Sequence, residues 1–112
     1  MFNLKGKVAL VTGVGSPEGI GFASAKLLAK AGAKLFITST TKRILEREKE
    51  LKSLFGNDNI SSLEADLTEE NQVSNLSKIV IKKFNQIDIL VNNAGMVQIG
   101  NDQPTKKFIE HS

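Results

Sequence analysis

The sequence predicts an α/β fold, a doubly wound parallel sheet with strand order 3-2-1-4 and helices between successive strands. Three observations predict it. Four short apolar runs alternate with longer stretches of helical periodicity. The first run ends in a glycine-rich loop that leads directly into a helix. The fourth run ends in a polar turn, and the reversal of strand order brings both turns to the carboxyl ends of neighbouring strands.

Taken in order, Val8-Ala9-Leu10-Val11 is a continuous apolar run ending in Thr12-Gly13, the pattern of a strand buried on both faces. Residues 20 to 31 are rich in Ala and Leu and place Ile20, Ala23, Leu27 and Ala31 at helical spacing, with Gly32 as the stop. Leu35 to Thr38 reads as the second strand. Ile44, Leu45, Leu51, Leu54 and Phe55 mark an amphipathic helix closed by Gly56-Asn57-Asp58-Asn59. Ile60 to Ala65 is the third strand, ending at Asp66. Thr68-Glu69-Glu70 resembles a helix start, with Val73, Leu76, Ile79, Val80 and Phe84 on the buried side. Ile87 to Val91 is the fourth strand and runs into Asn92-Asn93-Ala94-Gly95. Beyond Val97 the chain is polar and broken by Gly100 and Pro104, so residues 1–97 form the folded unit and 98–112 a poorly ordered tail.

Length and composition restrict the function. With 112 residues the chain holds one domain, and 40% hydrophobic with 24% charged residues is the range of an ordered globular protein. The net charge of +3 is small, and Lys42 to Lys52 alternates Lys, Arg and Glu as a solvated helix face does. Tyr and Trp are absent and no basic stripe carries aromatics, which argues against nucleic acid as a partner. The absence of Cys excludes a thiolate metal site, a disulfide scaffold and a cysteine nucleophile, and no metal-ligand cluster is present. Lys5 and Lys7 precede an apolar run too short for a secretory signal, and no run is long enough to cross a membrane. A cytoplasmic protein is expected.

The strongest chemical signal is the loop Thr12-Gly13-Val14-Gly15-Ser16-Pro17-Glu18-Gly19-Ile20-Gly21. Between a buried strand and a helix, its backbone amides and the helix N-terminus attract phosphate, and glycine lets the backbone approach. A glycine-rich turn without a ligand is the alternative. Gly13 and Gly15 fit the start of the general dinucleotide fingerprint, but its third glycine would fall at Glu18, and no Walker A lysine follows.

Leu4, Gly6-Lys7, Ala9 to Gly13 and Gly19-Ile20-Gly21 together resemble the opening of the short-chain dehydrogenases/reductases. Their loop is usually T-G-x-x-x-G-x-G; here two further residues separate Gly13 from Gly19, a spacing similar to the enoyl-acyl-carrier-protein reductases of that superfamily. Asn92-Asn93-Ala94-Gly95 resembles the family's NNAG signature, which the enoyl reductases usually lack, so the ketoreductase-like branch is favoured. The resemblance implies a Rossmann-like fold, of which this stretch is the first part, and a bound nicotinamide dinucleotide. It implies cofactor contacts from Gly13, Gly15, Ser16, Gly19, Ile20, Gly21, Asn92, Asn93, Ala94 and Gly95. It also implies an adenine contact at Asp66-Leu67, for which a loop or capping aspartate is the alternative.

The end of the second strand distinguishes the cofactors. NAD sites place a carboxylate there to accept from the ribose 2′-hydroxyl. Here no acidic residue lies between Gly19 and Glu46, and the segment reads Ser39-Thr40-Thr41-Lys42-Arg43. Hydroxyls and cations suit a 2′-phosphate, so NADP is expected ahead of NAD, with Ser39, Thr40, Thr41 and Arg43 as its contacts. The alternative is that Lys42 and Arg43 merely begin a solvated helix.

The family's chemistry uses a Tyr, a Lys four residues later, a Ser and an Asn; these residues contain no Tyr. The chain is expected to stop before that machinery, to hold no catalytic residue and to be inactive alone. His111, next to the last residue, has no carboxylate or nucleophile placed around it. A non-catalytic nucleotide-binding module and a non-functional remnant are the competing readings. With no fifth strand, the fourth would present an unpaired apolar edge, and self-association is expected.

Overall fold

The computed structural model describes residues 3–93. The alternation is realised as β1 (Val8–Thr12), α1 (Ile20–Lys30), β2 (Lys34–Ser39), α2 (Ile44–Phe55), β3 (Ile60–Glu64), α3 (Glu70–Phe84) and β4 (Ile89–Asn92), with a short 3-10 turn at Asn57–Asn59. All three strand pairings are parallel and the order is β3-β2-β1-β4, as expected. In register, Val11 lies between Ile37 of β2 and Val91 of β4. Parallel neighbours cannot be joined by a tight turn, and the helices supply the crossovers.

Side-chain alternation along the strands builds two cores. Ala9, Val11, Leu35 and Ile37 face α1 and α2, where Phe22, Ala25, Ala29, Ile44 and Leu51 close over them. Val8, Leu10 and Phe36 face the other way, against Leu76, Val80 and Phe84 of α3. Helices on both faces leave β1 buried along its whole length and β2 buried after Lys34, which is why their sequences are apolar runs rather than alternating ones.

The helix faces need two corrections. The expected stripe on α1 is not the buried one: Ile20 and Leu27 are 67% and 70% exposed, and Gly21, Phe22, Ala25 and Ala29 meet the sheet. Two stripes share this helix, and the one with small residues wins because it lets the helix axis approach the strands. On α2, Leu45 and Leu54 face solvent, whereas Arg47 takes a core-facing position between Ile44 and Leu51. The segment from Lys42 to Lys52 is therefore not a purely solvated face. On α3, Leu76, Val80 and Phe84 are buried as expected.

β4 starts two residues later than the sequence suggested, because Asp88 serves as its anchor. The Asp88 backbone N–H donates to the Val8 carbonyl at 2.8 Å, and Asp88 Oδ2 accepts the Val8 N–H at 2.8 Å. Gln86 Nε2 donates to the same carboxylate and to the Gly6 carbonyl. These bonds stabilise the anion, with the Val8 N–H the larger contributor, and hold the Asp88 carboxyl below its ordinary pKa.

Candidate functional site

A cleft of about 430 Å³ opens beyond the carboxyl ends of β1, β2 and β3. Its walls are Gly13, Gly15 and Ser16 from the loop after β1, Thr38, Ser39, Thr40, Thr41 and Arg43 from the end of β2, and Ala65 and Leu67 after β3. That volume lies in the range of small-molecule sites, about 300–1,000 Å³. The strand ends determine the position: loops that leave a parallel sheet on one edge must converge there.

The loop is built against β2. Gly13 turns the chain out of β1 with φ of +71°, a conformation L side chains rarely adopt. Val14, fully buried, donates its N–H to the Thr38 carbonyl at 3.0 Å. Gly15 then lies against Ser39: a Cβ there would sit 3.2 Å from Ser39 Cβ and Oγ and 3.7 Å from Arg43 Nη2. The two additional residues close on themselves as a turn, in which Glu18 N–H donates to Ser16 Oγ and Gly19 N–H to the Ser16 carbonyl. The departure from the usual spacing is thus absorbed outside the wall formed by Gly13 and Gly15.

At the end of β2, Ser39 Oγ donates to the Thr41 carbonyl at 2.9 Å and receives the Thr41 N–H at 3.3 Å, folding Thr40 and Thr41 round the rim. Arg43 lines the cleft and Lys42 does not. Among the described lining residues none is acidic, and Arg43 is the only cation. Thr38 Oγ1 is buried without a hydrogen-bond partner among the described residues.

Asp66 stands apart from these walls. Its Oδ1 accepts the Thr68 hydroxyl at 2.7 Å and the Thr68 N–H at 3.0 Å, while Gln72 Oε1 accepts the Asp66 N–H at 2.7 Å. The Thr68 hydroxyl, then its N–H, lowers the carboxyl's pKa. Asp66 thus acts locally as a loop aspartate and not as a helix cap, since the N-cap of α3 is Glu69; of the pair, Leu67 lines the cleft.

Across β1 the second motif joins the first. Thr12 Oγ1 donates to Asn92 Oδ1 at 2.8 Å and accepts the Asn93 N–H at 3.0 Å, and Asn93 Nδ2 donates to the Thr12 carbonyl at 3.3 Å. A Cβ on Gly21 would lie 2.3 Å from the Gly13 carbonyl oxygen and 3.3 Å from Asn93 Nδ2. The glycine is required by close packing of α1 onto the end of β1. Gly19, Ile20 and Gly21 frame the loop without lining the cleft, as do Asn92 and Asn93; Ala94, Gly95 and His111 lie outside the described residues.

Three neighbours of the cleft were missed in the sequence: Thr38, Ala65 and Arg47. Strand alternation conceals the first two, since Thr38 and Ala65 read as ordinary strand residues. Arg47 carries a signal, a cation three residues after Ile44 and four before Leu51 on one helical stripe. The assembled groups are main-chain amides, hydroxyls and one guanidinium, which suit a phosphorylated, hydroxyl-bearing ligand. Among the described residues there is no group of three or more possible metal ligands, and no helix long and apolar enough to cross a membrane.

Residues 7–112 match the family model described as short chain dehydrogenase. The chain is 40% identical over 96 residues to the 3-oxoacyl-acyl-carrier-protein reductase FabG of Vibrio cholerae, covering 86% of this chain and 37% of that one. It is similar to the L-sorbose reductase of Gluconobacter frateurii solved with NADPH and L-sorbose (TM-score 0.75, 32% identity, 91% of this chain, 40% of that one). It is also similar to a short chain dehydrogenase/reductase of Burkholderia phymatum in complex with NAD (TM-score 0.72, 27% identity, 80% of this chain, 31% of that one). The chain spans about a third of the length of the curated relatives it matches.

Proposed function

The chain belongs to the short-chain dehydrogenase family, and on that premise we propose that it forms the NADP(H)-binding part of an oxidoreductase acting on alcohol or carbonyl substrates. The observation that carries the reading is the acid-free cleft with Arg43 at the end of β2. A ribose 2′-phosphate there meets a guanidinium and the hydroxyls of Ser39, Thr40 and Thr41, and no carboxylate repels it. Gly13, Gly15 and Ser16 offer backbone to the pyrophosphate, and Leu67 an apolar surface to the adenine. Asn92 and Asn93, tied to Thr12, continue the site on the β4 side. The bound dinucleotide would supply hydride chemistry; the residues described here bind and orient it.

Calorimetric titration with NADPH and NADH tests this reading, which equal or tighter binding of NADH would reject. Arg43→Ala is expected to weaken NADPH by roughly tenfold or more, the scale of a charge-assisted hydrogen bond, and to leave NADH nearly unchanged. Lys42→Ala should do less, because Lys42 does not line the cleft.

A second reading, a nucleotide-binding module without catalysis, is favoured by one observation: these 112 residues contain no Tyr. We expect a protein of these residues alone to bind NADPH and to turn over no ketone, since it holds no Tyr to exchange a proton with the substrate oxygen. NADPH-dependent ketone reduction by protein from a host free of contaminating reductases would refute that. Self-association through β4 and a cytoplasmic location belong to the same proposal.

A further inference from the structure

Arg47 sits where α2 should present an aliphatic side chain. It is 6% exposed, on the stripe between Ile44 and Leu51. Burying a guanidinium is costly unless its donors are engaged. Its charge is paired, with Nε 2.6 Å from Glu50 Oε1 and Nη2 3.6 Å from Glu46 Oε1, but the Nε–H is not aligned for a hydrogen bond; Nη1 donates to the Gly15 carbonyl at 3.4 Å. Its plane also lies near the Phe22 ring of α1, at 5.6 Å from the centroid. Arg47 does not line the cleft and meets its wall through the Gly15 carbonyl.

The charge itself has little to offer an anion in the cleft, because two carboxylates already surround it. What the planar fork provides is position. Gly15 gives its carbonyl to Arg47 and lies against Ser39 and Arg43, which come within 3.7 Å of where its Cβ would be. We propose that Arg47 is a positioning residue for the 2′-phosphate subsite, holding the Gly15 peptide against Ser39 and Arg43 so that NADPH is distinguished from NADH. This rests on the cofactor reading above. A lysine keeps the charge but lacks the planar fork that reaches the carboxylates and the Gly15 carbonyl together, so it should not substitute.

The test measures NADPH and NADH affinities of the full chain by calorimetry, beside thermal unfolding, for wild type, Arg47→Lys and Arg47→Met. The NADPH-to-NADH affinity ratio is expected to fall by roughly three- to tenfold in both variants, the scale of one hydrogen bond, with Lys giving no rescue. Glu50→Gln, at an exposed position, loosens the same fork without emptying the core; it should lower the ratio in the same direction and serves if the Arg47 variants do not fold. A purely structural Arg47 would weaken both cofactors alike or only lower the unfolding temperature, and either result overturns the proposal. So does an unchanged ratio in folded variants. Wild type that binds neither cofactor, or both equally, refutes the cofactor reading itself.

Discussion

β1 and β4 are built from nearly the same residues, Val-Ala-Leu-Val-Thr and Ile-Leu-Val-Asn, yet every residue of β1 is buried and every residue of β4 only partly so. Composition does not explain the difference; neighbours do. β1 lies between β2 and β4 with helices over both faces, whereas β4 pairs among the described residues with β1 alone. The candidate site follows the same division. On the β2 side, loop, hydroxyls and Arg43 form a closed wall; on the β4 side, Asn92 and Asn93 hang from Thr12. On the proposed reading the β2 side carries the ligand specificity, while the β4 side is tied to β1 through Thr12.

Gly21 is where the two sides meet, and its substitution should have the largest effect. Gly21→Ala gains about 1 kcal/mol of helix propensity. Against this, the new Cβ falls 2.3 Å from the Gly13 carbonyl oxygen and 3.3 Å from Asn93 Nδ2, on backbone that cannot yield cheaply. Overpacking of this kind costs about 1–3 kcal/mol or more, and the contact here is with main chain, so the clash should win. Urea denaturation should show net destabilisation, with NADPH binding reduced beyond the stability loss. A more stable variant with unchanged binding would mean that α1 and β1 are not held this closely.

The next effect concerns the open side. Ile89, Leu90 and Val91 present, among the described residues, an apolar strand with one partner, a template for edge pairing. Sedimentation velocity should show association that grows with concentration. Ile89→Lys should reduce it, at some cost in stability because Ile89 also packs against the core shared with α1. A monomer at all concentrations would show that the half-buried edge is protected, and the contrast between β1 and β4 would then be one of burial only.

Much of this architecture is legible in the sequence, for identifiable reasons. Strand order follows from the alternation of apolar runs with helical stretches, and the meeting of the two motifs from their places at the carboxyl ends of neighbouring strands. Helix faces are less legible. α1 carries two apolar stripes, and only the approach distance set by Gly21, Ala25 and Ala29 decides between them. Arg47 reads as surface because arginine usually is, and its burial depends on Gly15 and Phe22, distant in sequence. Lys42 and Arg43 look equivalent as letters; the turn made by Ser39 and Thr41 aims one at the cleft. Asp66 is the opposite case, a residue with two readings, of which its hydrogen bonds to Thr68 show the local one while the adenine contact stays a proposal.

The smallest expected effect lies in acid and again separates the two sides. Asp88 ties β4 to the start of β1, and its folded pKa is lowered by the Val8 N–H and the Gln86 amide. A group with a depressed folded pKa contributes stability that is fully present above its unfolded value of about 3.9. As pH falls through the lowered folded value, the unfolded state takes up the proton first and that contribution disappears. Asp66 shifts the same way through Thr68, on the β3 side. Unfolding followed between neutral pH and strong acid should therefore show stability falling below about pH 4. Asp88→Asn should be modestly less stable at neutral pH and lose part of that acid dependence, because an amide still accepts the Val8 N–H but has no charge to titrate. Asp66→Asn should reduce the remainder further. If Asp88→Asn leaves the acid profile unchanged, β4 is anchored by its backbone ladder to β1 and by its packing, and the carboxylate is incidental to the difference between the two strands.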